Sequence, residues 1–200
     1  MIPSEPAPQR LIVGMTGASG AIYGVRLLRL LQSTEIETHL VMSRSAKIAL
    51  TQELEIKVAD VADLADVVHH VDNIGASISS GSFRTLGMII APCSMRSLSE
   101  IATGVTSSLV TRAADVVLKE RRRLVLMARE TPLHLGHLRS MTAATEIGAI
   151  IYPPMPAFYA RPENLEQMVD HTLGRVLDLF DIPTDGVSRW QGLSPAKARD

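Results

Sequence analysis

The chain has 200 residues, a formal net charge of −1 and 46% hydrophobic residues, of which few are aromatic. The balanced charge excludes a general electrostatic attraction to nucleic acid or to an anionic membrane. The single cysteine excludes an internal disulfide framework. Length and an aliphatic composition predict one domain built on a buried parallel sheet. Neither a signal pattern nor an apolar run of membrane-spanning length is visible, so we predict a soluble cytoplasmic protein.

Short apolar runs alternate with helical patterns along the chain. The apolar runs predict strands at Leu11–Met15, Thr38–Met42, Met88–Ala91, Leu124–Ala128 and Ala149–Tyr152. Helical periodicity predicts helices at about 20–32, 44–54, 96–103, 107–121, 134–147 and 163–180. Such alternation predicts a single-domain α/β fold, Rossmann-like or flavodoxin-like, with a doubly wound and mainly parallel sheet. We assign residues 10–182 to this domain, 1–9 to a flexible arm, and 183–200 to a tail with Trp190 as a candidate anchor.

The first predicted strand runs into a turn of small residues, Thr16–Gly20, which is followed by a helix. This arrangement presents backbone N–H groups and the positive end of a helix to a phosphate. The glycines at positions 17, 20 and 24 match neither the dinucleotide fingerprint nor a Walker loop. The turn therefore fits a mononucleotide phosphate or simply a tight connection, and the residues alone leave both open.

A polar stretch from Val67 to Thr85 separates the second and third predicted strands. It is too polar for a core element and long for a plain connection, so we predict a loop. Long ordered loops in compact domains are often functional. Its hydroxyls and small residues suit the wall of a ligand site, although the sequence leaves its role open.

Polar residues follow the predicted strands, at the edge of the sheet where open α/β folds bind ligands. We expect these strand ends to form one crevice of small hydroxyls, an Arg–Glu pair and a proline-rich flap: Thr16–Gly20, Ser43, Pro92–Ser97, Arg129–Pro132 and Pro153–Tyr159. Ser43 stands where a dinucleotide dehydrogenase usually carries an acidic residue, which disfavours a nicotinamide cofactor. It also suits the N-cap of the helix that begins at Arg44.

Several charged residues allow two interpretations. Glu53 lies among aliphatic residues and is either turned to water, which we favour, or partly desolvated with a raised pKa. Arg112 and Lys119 share a helix face that meets solvent or forms a second phosphate-binding patch. Arg129 and Glu130 follow a buried strand, where an acid beside a cation could protonate a leaving phosphate. The run at 121–123 is interpreted as a solvated helix end.

The histidines and the cysteine are given structural roles. His134 and His137 are three residues apart on a predicted helix, but the local sequence offers no third ligand for a metal. We interpret both as ordinary polar helix positions. Cys93 is predicted as a small buried residue at a strand end, because no histidine lies nearby in the sequence to activate it.

Six motifs together make the chain resemble the UbiX-type flavin prenyltransferases, including paralogues that accompany aromatic-acid decarboxylases. The resemblance covers about residues 10–182. The motifs lie at Met15–Gly20, Ser79–Ser82, Ala91–Ser94, Arg112–Glu120, Leu126–Pro132 and Pro153–Tyr159.

The resemblance implies a Rossmann-like subunit of a homo-dodecamer that binds FMN and dimethylallyl phosphate. It implies a metal-independent reaction that joins the prenyl group to N5 and C6 of reduced FMN, for use by a UbiD-type decarboxylase in quinone synthesis or aromatic-acid breakdown. Several cations around one leaving phosphate would stabilise it without a metal. A non-catalytic FMN carrier subunit is the alternative. A flavin-dependent cysteine decarboxylase is disfavoured, because its catalytic histidine and asparagine-containing loop motif have no match here.

Site residues follow from the resemblance alone. The flavin would be held by Gly17, Ala18, Ser19, Ser43, Ser94, Met95, Arg96, Ser97 and Arg129. The prenyl phosphate would be bound by Arg112, Lys119, Tyr159 and Arg175. The catalytic residues would be Ser19, Glu53, Glu130 and Lys119, with Glu130 handling protons at the leaving group and Ser19 and Glu53 relaying protons near the flavin.

Overall fold

The computed structural model describes residues 9–185 together with 187, 189 and 192. They belong to two compact units, divided between Pro154 and Met155. The predicted arm, up to Pro8, and the candidate anchor Trp190 lie outside the described residues. None of the described helices combines the length and the low charge needed to cross a bilayer.

The first unit is built on a six-stranded sheet in which every neighbouring pair is parallel. Its strands are β1 Arg10–Met15, β2 Glu37–Met42, β3 Val67–His69, β4 Gly87–Cys93, β5 Arg123–Ala128 and β6 Ala149–Ile151. Their order is β3-β2-β1-β4-β5-β6, so the direction of winding reverses between β1 and β4. The predicted doubly wound α/β fold is confirmed.

Within the described residues, six α-helices belong to the first unit and one to the second. They are α1 Ala21–Leu31, α2 Arg44–Leu54, α3 Val58–Ala62, α4 Met95–Thr103, α5 Leu109–Lys119, α6 Leu135–Glu146 and α7 Leu165–Asp178. All six predicted helices are present, with ends within two residues of the predicted ones. The short α3 was not predicted, because five residues are too few to show helical periodicity.

The prediction of a loop over residues 67–85 is wrong at its beginning. Val67–His69 forms the edge strand β3, which pairs with β2 from His39 to Val41. Each residue of β3 is at least partly exposed, and three residues are too few to show the alternation of a strand. Further along, Ile78 is 1% exposed and packs in the core, so the segment is partly a core element.

Close contacts join the ends of β1 and β4, which are the two strands at the reversal. The Thr16 hydroxyl donates to the Pro92 carbonyl at 2.9 Å and accepts from the Ser94 N–H at 2.7 Å. Helix α1 lies tightly on β4, because a Cβ at Gly24 would come within 2.5 Å of the Ala91 carbonyl oxygen. These contacts hold the loops that follow β1 and β4 beside each other.

The second unit contains α7 and the segment that follows it. The Asn164 side chain caps the helix by accepting a hydrogen bond from the Gln167 N–H at 2.8 Å. Along the helix, Val169, Leu173, Val176 and Leu177 are buried. A Cβ at Gly174 would overlap the side chain of Val187, so glycine is what lets this later segment lie against the helix.

Candidate active site

A cleft of about 400 Å³ opens at the carboxyl ends of β1, β2 and β4. It lies at the reversal of strand order, where open α/β sheets bind ligands. Small and hydroxyl-bearing residues line much of it: Gly17, Ser43, Ser45, Ser94, Ser97, Ser107 and Ser108. Five of the residues predicted to hold the flavin, namely Gly17, Ser43, Ser94, Arg96 and Ser97, are therefore brought together.

Three helices begin at this cleft, and a serine caps each of them. Ser43, Ser94 and Ser108 accept hydrogen bonds from the backbone N–H groups of Ala46, Ser97 and Thr111, respectively. The donor–acceptor distances are 3.0, 3.3 and 3.5 Å. The predicted N-cap role of Ser43 is confirmed. Because a helix N-terminus carries unpaired N–H groups and a partial positive charge, three of them around one cleft favour a phosphate.

The two arginines in the cleft wall are each paired with a carboxylate. Arg44 lies 2.8 Å from Asp72, and Arg96 lies 3.0 Å from Glu100. Both guanidinium groups are largely exposed, so the ion pairs add little stability. The pairs do offset the charge of the arginines, and hydroxyls and backbone N–H groups are left to supply much of the affinity for an anion.

Sequence reasoning missed several residues of the cleft. A Cβ at Gly17 would overlap the Ser45 side chain, so glycine is needed where the loop after β1 meets the start of α2. Ser107 and Ser108 precede a helix that follows a loop, and inspection of strand ends therefore passes over them. The available signal was the capping box formed by Ser108 and Thr111 at the start of α5.

The N-terminus of α1 is occupied by a carboxylate of the protein itself. Glu53 Oε2 accepts hydrogen bonds from the backbone N–H groups of Gly20 and Ala21, at 2.8 and 2.9 Å. Gly20 itself adopts the left-handed conformation, with φ of 104°, which suits glycine at this turn. Two of the N–H groups that the sequence offered to a phosphate at this helix, those of Gly20 and Ala21, are thus already satisfied, whereas α2, α4 and α5 begin at the cleft.

Glu53 also meets two other residues of the predicted site. Partial burial raises its pKa, but hydrogen bonds from Ala21, Gly20 and the Ser19 side chain, together with the charge of Arg129, outweigh burial and lower it. The alternative of a desolvated carboxyl with a raised pKa is therefore wrong. The structure brings Ser19, Glu53 and Arg129 into one hydrogen-bonded and charged cluster beside the loop after β1.

Replacing Glu53 by alanine is expected to lower the free energy of unfolding by about 1 kcal/mol at pH 7, the usual cost of losing a helix cap. The folded state lowers the pKa of Glu53. Glu53 therefore stabilises the fold at pH values above the pKa that this carboxyl has in the unfolded chain. That stabilisation is lost as the pH falls through the folded-state pKa. Urea unfolding at fixed protein concentration, at pH 7 and in acid, measures both effects.

Gln52→Ala is the matched control for this substitution, because Gln52 is an exposed neighbour on the same helix. It is expected to change the urea midpoint little at either pH. An equal loss of stability for Glu53→Ala at pH 7 and in acid would contradict the capping role.

The other predicted flavin residues differ in exposure. Met95 is 6% exposed, and its side chain packs in the hydrophobic core. Ala18 is also buried. Arg129 and Glu130 are exposed at the carboxyl end of β5, where the Arg129 N–H donates to the Cys93 carbonyl at 3.1 Å. Glu130 Oε1 lies 3.2 Å from the Thr131 backbone nitrogen.

Lys119 lies at the opposite end of α5 from the cleft. At 1.5 Å per residue, it is about 16 Å along the helix axis from Ser108, which is beyond the reach of a lysine side chain. Its Nζ lies 2.6 Å from Glu120, and Arg112 lies 2.8 Å from Asp115. Within one copy of the chain, the two predicted phosphate ligands of α5 are therefore paired with neighbouring carboxylates.

Arg122 holds the loop that lies beside Lys119. Its guanidinium donates to the carbonyls of Gly81 and Phe83, at 2.8 and 2.7 Å, and its side chain is 17% exposed. The interpretation of 121–123 as a solvated helix end is wrong for this residue. The loop lies against Glu120 and Lys119 at Gly81, where a Cβ would overlap the Glu120 carboxylate and come within 2.7 Å of Lys119 Nζ.

In the second unit, Tyr159 contacts the face of α7 that also carries Arg175. Tyr159 belongs to a single 3₁₀ turn, Phe158–Ala160, and its ring packs edge-on against His171 with 5.6 Å between centroids. His171 and Arg175 are four residues apart and share a helix face. Arg175 lies 2.7 Å from Asp178.

The histidine pair and the cysteine have structural environments. His134 is the N-cap of α6, and its Nδ1 accepts hydrogen bonds from the N–H groups of Gly136 and His137 at 3.0 and 3.3 Å. Among the residues that the structure describes, no three histidines, cysteines or acidic residues cluster as a metal site would require. Cys93 is buried, and burial raises the pKa of its thiol to about 12, as suits a structural role.

A reversal of strand order with three helix N-termini around it defines an α/β protein that binds a phosphate-bearing ligand. Comparison with known proteins makes the class more specific. The Flavoprotein family model matches residues 3–182. The flavin prenyltransferase UbiX of Escherichia coli K12 is 61% identical over 187 residues, which cover 92% of this chain and 99% of the relative. The chain belongs to the UbiX family of flavin prenyltransferases.

Two solved structures show the same fold. AnUbiX (PadA1), in complex with FMN and dimethylallyl pyrophosphate, superposes with a TM-score of 0.91 at 48% identity, over 94% of this chain and all of that one. A dodecameric FMN-dependent UbiX-like decarboxylase from Escherichia coli O157:H7 gives 0.89 at 51% identity, over 92% of this chain and all of its own. The resemblance drawn from the six motifs is confirmed, and the transferase interpretation is favoured over the carrier.

Proposed function

We propose that this protein joins the dimethylallyl group of dimethylallyl phosphate to N5 and C6 of reduced FMN, and that a UbiD-type decarboxylase receives the product. The observation that carries the proposal is the cleft at which α2, α4 and α5 begin, in a member of the UbiX family. A related structure contains FMN together with a dimethylallyl ester. A cytoplasmic location remains a prediction.

The cleft suits the phosphate of FMN. Ser43, Ser94 and Ser108 cap the three helices there, and the hydroxyls of Ser45, Ser97 and Ser107 lie among them. Hydroxyls and N–H groups bind a phosphate without needing a net charge from side chains. The flavin would supply the nucleophilic atoms N5 and C6, while Arg129 and the cluster of Ser19 and Glu53 lie beside the loop after β1.

Prenyl transfer breaks the bond between carbon and the phosphate oxygen, and the phosphate leaves with the electron pair. Stabilising that leaving anion is the main task of the protein, because an allylic cation needs no strong nucleophilic side chain. We assign Glu130 to proton transfer at the leaving phosphate, and Ser19 with Glu53 to relaying the proton released as the flavin gains its second bond. Arg112, Lys119, Tyr159 and Arg175 would bind the phosphate.

Assembly explains the position of Lys119. Because Lys119 lies about 16 Å from the Ser108 cap of its own α5, we propose that it serves the cleft of a neighbouring copy. A related structure is dodecameric, which supports a homo-oligomer and our proposal of a dodecamer here. Exposed apolar side chains on α6, Leu135 and Leu138, are of the kind that subunit contacts cover.

Anaerobic incubation with reduced FMN and dimethylallyl phosphate, followed by mass analysis of the flavin, tests the proposed reaction. The flavin is expected to gain one C5H8 unit and to release one phosphate, with equal yield when a metal chelator is present. A parallel reaction with dimethylallyl pyrophosphate shows which ester is used. Unmodified flavin after complete reduction, with both esters, would overturn the proposal and leave the carrier alternative.

A further inference from the structure

Asp178, near the end of α7, is shared by two arginines. Arg175 NH1 lies 2.7 Å from Asp178 Oδ2, one helical turn away. Arg189, in the segment after the helix, donates through both terminal nitrogens: NH2 lies 2.8 Å from Oδ1, and NH1 lies 3.1 Å from Oδ2. Arg189 therefore holds the carboxylate with a two-pronged contact, and Arg175 shares one of its oxygens.

Thr184 and Val187, which precede Arg189 in the chain, pack against α7. Val187 lies so close to Gly174 that any side chain at position 174 would overlap it, and Thr184 Oγ1 lies 3.0 Å from the position of such a Cβ. Val187 and Arg189 thus lie beside Gly174 and Asp178 of α7, respectively. Arg189 has 56% of its side chain exposed and Asp178 has 19%, so the carboxylate is the more enclosed partner.

Charge in this cluster does not cancel. Two guanidinium groups face one carboxylate, which leaves a net charge of +1 for the three side chains. Hydrogen bonding from Arg189 is the largest cause of the lowered pKa of Asp178, and the charges of Arg189 and Arg175 add to it against the effect of partial burial. Arg189 makes two contacts with this carboxylate, whereas Arg175 makes one.

We propose that Arg189 is a positioning residue for prenyl-phosphate binding, because it occupies Asp178 and so leaves the positive charge of Arg175 available to the substrate. The inference rests on the proposed function, in which Arg175 binds the prenyl phosphate. Without Arg189, both carboxylate oxygens of Asp178 are open to Arg175. A bidentate ion pair of Arg175 with Asp178 would neutralise the Arg175 cation and direct its N–H groups away from a phosphate.

Steady-state kinetics of the full-length oligomer, with dimethylallyl phosphate varied at saturating reduced FMN, tests this inference. Arg189→Ala is expected to raise the KM for dimethylallyl phosphate about fivefold or more, the size of effect expected from one charge-assisted contact. The kcat and the Kd for FMN are expected to stay within about twofold. Arg189→Lys keeps the positive charge but loses the paired N–H donors of the guanidinium. Its KM for dimethylallyl phosphate is expected to lie between those of the wild type and Arg189→Ala.

The double variant Asp178→Asn with Arg189→Ala separates positioning from a merely structural role. With no carboxylate left to neutralise Arg175, its KM is expected to return toward the wild-type value. If Arg189 serves only to anchor the segment, the second substitution gives no recovery, and the inference is overturned. Thermal unfolding of each variant reports structural loss independently of KM.

Arg29→Ala is the matched control, since Arg29 is an exposed arginine in the last turn of α1, outside the proposed machinery. Its KM is expected to equal that of the wild type. If the KM of Arg189→Ala for dimethylallyl phosphate is unchanged while the wild type forms product normally, the inference is overturned and the proposed reaction is unaffected. Absence of product from the wild type would instead count against the proposed function.

Discussion

Glu130→Gln is expected to lower turnover at least about 100-fold while FMN binding stays within about twofold, because an amide cannot give a proton to the leaving phosphate. The side chain is exposed at the carboxyl end of β5, directly after Arg129, whose charge acts on Glu53. Neither the cleft serines nor the helix caps depend on Glu130, so the flavin site is left whole. Single-turnover prenylation under anaerobic conditions, and flavin titration, measure the two quantities.

Glu146→Gln provides the control, because Glu146 is an exposed glutamate in the last turn of α6. It is expected to react at the wild-type rate. Wild-type turnover in Glu130→Gln would remove the carboxylate from the proposed proton transfer. A comparable loss of FMN binding would show that Glu130 supports the flavin instead.

Lys119→Ala is expected to lower kcat/KM for dimethylallyl phosphate about 100-fold, as loss of one group that stabilises a leaving anion usually does. If Lys119 serves a neighbouring copy, mixing subunits restores activity. When Lys119→Ala and Glu130→Gln subunits are unfolded together and reassembled in equal amounts, about a quarter of the sites regain both residues. The activity of the mixture is expected to rise to about that fraction of wild type.

Each variant reassembled by itself is the control for this experiment and should stay inactive. Mass analysis of the assemblies establishes that subunits have exchanged. Exchange without any recovery of activity would place Lys119 and Glu130 in the same subunit's site or remove one of them from the reaction.

The sheet was predictable because its central strands are buried on both faces. β1, β4 and β5 appear in the sequence as continuous apolar runs, which few other elements produce. β3 is an edge strand of three partly exposed residues, and neither its length nor its polarity separates it from a loop. Its position depends on pairing with β2, a contact between residues 28 apart at Val67 and His39.

The candidate site was predictable where it follows a strand. Ser43 and Ser94 come directly after β2 and β4, so the rule for strand ends finds both. Glu53 illustrates the limit, because the helix that it caps begins 32 residues earlier and nothing local in α2 indicates that partner. Arg122 is similar: a run of three arginines suggests solvent, whereas the carbonyls that it binds belong to a loop about 40 positions away.

The burial of Cys93 has a practical consequence for work with reduced flavin, which generates peroxide in air. Since the pKa of this thiol is about 12, almost none of it is thiolate near neutral pH, and the side chain is fully enclosed at the end of β4. It is the chain's sole thiol. Loss of activity on aeration therefore results from oxidation of the flavin and not from oxidation of a cysteine. Alkylating reagents are expected to modify Cys93 only when the sheet unfolds.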